Sequence, residues 1–260
     1  LGQELTFVAG EGPRLAPPLS GAEMTGFTPH PERLEAIYET VRQVKAQLAP
    51  ETTFLGFAGS PWTVATYMVT GEGSREQAEA RTLAYLDPGK FRAIIAAIEE
   101  ATVNYLVGQA DAGVDAVQLF DSWSGSLAPS EFERWVIAPT ARIVDRLRKL
   151  RPELTIIGFP KGAGGKLPAY ARETGVDALG LDETVDPLWA HASLPAGMPV
   201  QGNLDPLALM AGGEALEKAV RRVLTALEER PHVFNLGHGI GQFTPIEHVE
   251  QMFRHLGKAA

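Results

Sequence analysis

The sequence predicts an α/β fold, a (β/α)8 TIM barrel that here lacks its first one or two βα units. Three observations predict it. Six short apolar runs alternate with longer stretches of helical period, the pattern of parallel strands joined by crossover helices. Each run ends in polar or glycine-rich residues, so all six endings share one rim. The clearest run, Val114-Asp115-Ala116-Val117-Gln118-Leu119-Phe120-Asp121-Ser122, suits a strand buried on both faces. An open doubly wound sheet accommodates the same units, but the shared rim favours the barrel.

Residues 1–30 are rich in Gly and Pro and read as irregular, with a short strand at Leu5 to Val8. A helix starts near Pro31, because Leu34, Ile37, Val41, Val44 and Leu48 are spaced along one helix face, and Pro50 ends it. Thr53 to Phe57 is the next strand. Ser74 with Gln77 reads as a capping box for a helix to about Leu86. Asp87-Pro88 opens another, carrying Phe91, Ile94, Ile98 and Leu106 and ending at Gly113. The central strand follows. Ser130 with Glu133 reads as a second capping box, for a helix through Val136, Ile143, Leu147 and Leu150 that kinks at Pro139. Thr155 to Phe159, Ala178 to Leu181, Pro199 to Gly202 and His232 to Leu236 are the remaining strands. A short helix to Thr174, one capped by Asp186-Pro187, one from about Gly213 to Glu229, and a last one capped by Thr244 and Glu247 separate and follow them.

A chain of 260 residues, 45% hydrophobic, can bury a full core. The expectation is one domain, 1–260, N-terminally incomplete, because the chain opens Leu1-Gly2-Gln3-Glu4-Leu5 with no initiator Met. The formal net charge of −9 and the lack of a basic stripe argue against a nucleic-acid partner. No apolar run approaches the ~20 residues that span a bilayer, and no signal peptide is visible, so the expected location is the cytoplasm. With no cysteine, disulfides, thiolate metal sites and cysteine nucleophiles are excluded.

The rim residues resemble the uroporphyrinogen decarboxylase family. The motifs are Gly59-Ser60-Pro61-Trp62-Thr63 leading to Thr66-Tyr67-Met68-Val69; Gln118-Leu119-Phe120-Asp121-Ser122; Gln201-Gly202-Asn203-Leu204-Asp205-Pro206; and Asn235-Leu236-Gly237-His238-Gly239. Each is weak alone. Their order and spacing from about residue 50 to the end are specific. The resemblance implies a (β/α)8 barrel and a cofactor-free lyase. It removes the carboxylates of the four acetate side chains of uroporphyrinogen III, giving coproporphyrinogen III and carbon dioxide, and works as a homodimer. It also implies that Tyr67, Ser122 and His238 are substrate-site residues, Tyr67 being the catalytic one, and that Phe120 lines the cleft. The family's arginine-rich N-terminal motif and the aspartate that grips the pyrrole N–H groups have no match and are expected upstream of Leu1.

The residue types fit that chemistry. Protonating a ring carbon turns a pyrrole into an electron sink, and the substrate's other carboxylates need donors. The hydroxyls of Tyr67 and Ser122 and a ring N–H of His238 are such donors. Each residue also has a plainer reading: Tyr67 as a half-buried aromatic, Ser122 as a turn cap, His238 as a loop residue between two glycines. Asp121 reads equally as a rim acid or a helix cap. Lys161 reads as solvated, with contact to a substrate carboxylate as the other possibility. His30, His191, His232, His248 and His255 read as surface or helix-face residues.

Two rivals share the pattern. A corrinoid-type zinc methyltransferase of the same fold needs thiol ligands, which this sequence does not hold. A phosphate-binding barrel enzyme would use Gly162-Ala163-Gly164-Gly165 and Gly237-His238-Gly239-Ile240-Gly241, but no lysine stands on a strand to do its chemistry.

Overall fold

A computed structural model describes residues 3–8, 12–19, 31–74 and 76–257; His30 lies outside them. The chain opens with an antiparallel pair, β1 (Glu4–Val8) and β2 (Gly12–Ala16). The reading of an irregular start with one short strand is thus corrected. Pro13 in β2 pairs with Phe7, a position open to proline because a two-stranded ribbon is all edge. Next come α1 (Glu35–Lys45), entered through a 3₁₀ turn at Pro31–Leu34, and β3 (Leu55–Gly59). Of the apolar stripe expected to face the core, only Val41 is fully buried.

Then follow α2 (Pro61–Thr70), α3 (Ala78–Leu86), α4 (Pro88–Ala112) and β4 (Ala116–Asp121). Helix α2 has no polar face: seven of its ten residues are buried, so no amphipathic stripe marks it in the sequence. Asp87 caps α4 by accepting from the Lys90 N–H at 2.9 Å, as the Asp-Pro pair predicts. Ser74 does accept from the Gln77 N–H. However, α3 starts one residue later, with Gln77 left-handed and uncapping.

Beyond β4 lie α5 (Pro129–Phe132), a π-helical turn at Glu133–Ile137, and α6 (Ala138–Leu150). The expected Ser130–Glu133 box does not form, because Pro129 starts the helix and leaves Ala128 as its cap. Pro139 has no N–H to continue the ladder, and the wide turn just before it absorbs the expected kink. The chain continues through β5 (Thr155–Pro160), α7 (Leu167–Glu173), β6 (Ala178–Gly180), α8 (Pro187–Ser193) and β7 (Val200–Leu204). It ends with α9 (Pro206–Ala211), α10 (Gly213–Ala226), β8 (His232–Leu236) and α11 (Ile246–His255). Asp186 caps α8 as expected. The Thr244–Glu247 box does not cap α11, whose N-cap is Pro245.

β3 to β8 form one parallel sheet in sequence order, as six consecutive βα units require. The sheet is strongly curled. In a flat sheet β4 and β7, three strands apart, would lie about 14 Å from each other. Yet the Gln201 Nε2 donates to the Gln118 Oε1 across the concave side at 3.1 Å. The main core lies on the convex side, under α2, α4 and α6, where the Phe91 ring meets Trp62 at 5.6 Å and Trp135 at 4.8 Å.

Candidate active site

On the concave side the strands turn Phe57, Phe120 and Phe159 inward. Phe120 meets Phe57 edge-on at 5.9 Å and Phe159 edge-on at 5.7 Å. The result is an aromatic wall across β3, β4 and β5, geometry favoured by the ring quadrupoles. Gly180 makes room for it: a Cβ there would lie 2.5 Å from the Phe159 ring. Below the wall sit the buried, mutually bonded amides of Gln118 and Gln201. Phe120, Phe159, Gln118, Gln201, Asn235 and His238 line a cavity of about 350 Å³ that opens at the carboxyl ends of the strands, where parallel α/β folds place their ligands.

Of the four residues singled out in the sequence, two meet in this cavity. Phe120 is half-buried on its wall, and His238 stands exposed on the loop after β8. The other two lie further along the rim, outside that lining. Ser122 follows β4 directly and is half-buried. Tyr67 is on α2, half-buried, with its ring centroid 6.5 Å from that of Trp123. Phe120 and Ser122 are two residues apart on one strand end, which links the two groups. Among the described residues, none hydrogen-bonds the side chain of Tyr67, Ser122 or His238. The neighbouring hydroxyls differ: Thr63, Ser124 and Ser126 all bond to protein. Among the described residues these three groups are left without a partner.

Asp121 is neither a rim acid nor a helix cap. It is buried behind β4, where its Oδ1 accepts from the Thr63 hydroxyl at 2.6 Å. Burial pushes its carboxyl up to about 7, against the opposing pull of Thr63. The Thr63 hydroxyl in turn accepts from the Trp123 N–H at 3.2 Å. Thr63 and Tyr67 are one helical turn apart, so they share a face of α2. The bond that pins Thr63 to β4 therefore also sets where Tyr67 meets Trp123.

Across the rim, Asp182 does similar work. Its carboxylate accepts from the Gly162 N–H at 2.8 Å and from the Thr184 N–H at 2.9 Å. The Asn203 amide donates to the carbonyls of Asp182 and Val185. These bonds lock the loops after β5 and β6 to each other and to β7. Gly237 packs against that cluster: a Cβ there would lie 2.7 Å from the Glu183 Cα. The glycine lets β8 close on β6 and delivers His238 to the cavity. Partial desolvation first, and then the Lys161 charge, hold the His238 imidazole below its ordinary range, while Glu183 and Asp182 pull it back up. The ring is neutral at pH 7, with one N–H to donate.

The histidine readings hold in part. His248 and His255 lie on α11, and His191 lies on α8, partly buried. His232 is not a plain surface residue: its Nε2 lies 2.5 Å from the Gly202 carbonyl, and burial lowers its pKa. A further cavity, about 760 Å³, is lined by Phe132, Glu133, Lys166 and Glu173 and touches none of the four expected residues. Lys166 there is a structural tie, donating to the carbonyls of Gly125 and Leu127. Among the described residues no group of three or more His, Asp or Glu is placed to hold a metal ion. None of their helices is long and apolar enough to cross a membrane.

The fold matches solved structures at low identity. A methyltransferase from Methanosarcina mazei superposes with a TM-score of 0.79 at 14% identity, over 98% of this chain and 74% of that one. A B12-independent methionine synthase from Shewanella sp. W3-18-1 gives 0.57 at 11%, over 98% of this chain and 72% of that one. These likenesses speak for the fold alone. Sequence speaks for more. The chain is 67% identical to the uroporphyrinogen decarboxylase of Erythrobacter litoralis, over 97% of this chain and 74% of that protein. It is 68% identical to that of Rhizorhabdus wittichii, over 97% and 73%. The family model for uroporphyrinogen decarboxylase matches residues 1–258. With that match running nearly end to end, the chain belongs to the uroporphyrinogen decarboxylase family.

Proposed function

We propose that this cleft decarboxylates the four acetate side chains of uroporphyrinogen III, yielding coproporphyrinogen III and carbon dioxide in porphyrin and haem biosynthesis, with no cofactor. The observation that carries the reading is the 67% identity to a uroporphyrinogen decarboxylase across 97% of the chain. In each cycle a pyrrole carbon is protonated and the bonding pair of the departing carboxylate flows into that ring. A proton then adds to the exocyclic carbon, leaving a methyl group, and the ring carbon gives up the proton it took, which restores the pyrrole. One proton replaces each carbon dioxide.

The geometry supports the following roles. The wall of Phe57, Phe120 and Phe159 offers the pyrroles an apolar surface. His238, neutral at pH 7, donates an N–H to a substrate carboxylate from the β8 side. Tyr67 and Ser122, whose hydroxyls bond to no described residue, donate from the side of α2 and β4. Tyr67 is the one we assign to the reacting acetate. The reading takes residues 1–260 as one domain and the protein as a cytoplasmic homodimer without nucleic-acid or membrane partners.

Anaerobic incubation with uroporphyrinogen III in the presence of EDTA is the test. Coproporphyrinogen III should accumulate, with carbon dioxide released. Activity lost to the chelator and restored by zinc would overturn the cofactor-free reading. Sedimentation of the purified protein checks the dimer.

A further inference from the structure

We propose that Lys161 is a substrate-binding residue that takes a carboxylate of the porphyrinogen, and that Glu183 is the internal anion the substrate displaces from it. The proposal rests on the decarboxylase reading above and adds a specificity element to that site. Lys161 is the first residue after β5, and both its backbone groups are tied down. Its N–H donates to the Asp121 carbonyl at 3.0 Å, and its carbonyl accepts from the Ser124 hydroxyl at 3.1 Å. That fixes it beside the segment carrying Ser122. Its ammonium reaches the other way, 3.6 Å from Glu183 Oε1. Glu183 in turn lies against Gly237, the residue before His238. Lys161 therefore bridges the Ser122 side and the His238 side of one rim.

The ion pair is unlike the structural ones in this chain. Lys45 holds Asp115 through two hydrogen bonds, at 2.6 and 2.7 Å. Lys166 holds two carbonyls. The Lys161 ammonium makes no hydrogen bond to any described residue, and 3.6 Å is too long for one. The second oxygen of Glu183 is buried without a hydrogen-bond partner, an arrangement that costs free energy unless something offsets it. A loose pair is an exchangeable one. A poly-anionic substrate approaching a protein of net charge −9 needs a local cation, and an ammonium with unused donors on the rim after β5 supplies it.

Steady-state kinetics with uroporphyrinogen III test this through opposite signs. Lys161→Met should raise KM about tenfold, the usual worth of one charge-assisted hydrogen bond, with kcat within about twofold. Lys161→Arg should restore most of that loss. Glu183→Gln should lower KM, because the lysine is released. A purely structural pair would lower the melting temperature in both variants and shift KM in neither, or shift it upward in both; either result overturns the proposal. His238→Ala separates this idea from the site as a whole. If its KM rises while that of Lys161→Met does not, the lysine assignment falls and the site stands. If neither rises, both fall.

Discussion

The Thr63 hydroxyl donates to the Asp121 carboxylate at 2.6 Å, 58 residues away in the chain, and both groups are buried. This bond fastens α2 to the end of β4 and so sets Tyr67 relative to Ser122. Its acceptor is a carboxyl raised to about 7 by burial. The folded protein thus prefers Asp121 protonated, whereas the unfolded chain releases that proton near 3.8. The sign follows: Asp121 costs nothing below pH 4, and its cost grows between pH 4 and 7 as the unfolded state alone gains from ionising. A shift of this size is worth roughly 4 kcal/mol. Asp121→Asn keeps an acceptor for Thr63 without the charge. It should flatten the decline in stability from pH 4 to 7, read by urea unfolding at a series of pH values. A variant with the parent's slope would place the titration elsewhere.

Tyr67→Phe removes a hydroxyl that bonds to no described residue and keeps the ring against Trp123. Stability should change by less than about 1 kcal/mol. Turnover should fall at least about tenfold, since a donor to the reacting group is worth that much or more. Thermal unfolding and anaerobic kcat measured on the same preparation check both halves. Unchanged turnover would take Tyr67 out of the reaction.

The alternation of apolar runs and helical stripes made the six βα units legible, because that spacing is what burial on both faces of a sheet imposes. The Asp-Pro caps were legible too, since aspartate and proline act on their own local backbone. The failed caps at Ser130 and Thr244 share one cause. Pro129 opens α5, so Ser130 falls inside it; Pro245 is the N-cap of α11 and leaves Thr244 outside. Helix α2 left no signal because it is buried on most sides, so no apolar stripe alternates with a polar face. The rim residues were recognisable as a set of motifs, yet their roles were not. Whether Asp121 faces the cleft or the core depends on Thr63, a partner that no spacing reveals. Lys161 reads as solvated until the pairing of β5 with β6 brings Glu183 beside it.

His238 reports on that neighbourhood. Its midpoint lies below the ordinary 6.5, through desolvation first and the Lys161 charge second, with Glu183 acting in the opposite sense. Removing the cation in Lys161→Met should raise the midpoint, and removing the anion in Glu183→Gln should lower it further. Long-range proton–nitrogen NMR of the imidazole against pH measures both. A midpoint indifferent to both substitutions would mean that these charges do not reach the ring.

Gly237→Ala tests whether β8 must close on β6 for the site to work. Gly237 is buried and its φ is not in the left-handed region, so the added methyl meets a steric rather than a conformational barrier. It would sit 2.7 Å from the Glu183 Cα. Backbone cannot swing aside as a flexible side chain does, so the strand end or the β6 loop must shift. Overpacking of this kind costs about 1–3 kcal/mol. The shift moves His238 and Glu183 together, because Gly237 adjoins the one and packs on the other. KM for uroporphyrinogen III should therefore rise along with the loss of stability. Raising stability back with an osmolyte should leave KM high, since the displaced loop is a feature of the folded state. If KM recovers with stability, the glycine serves folding alone.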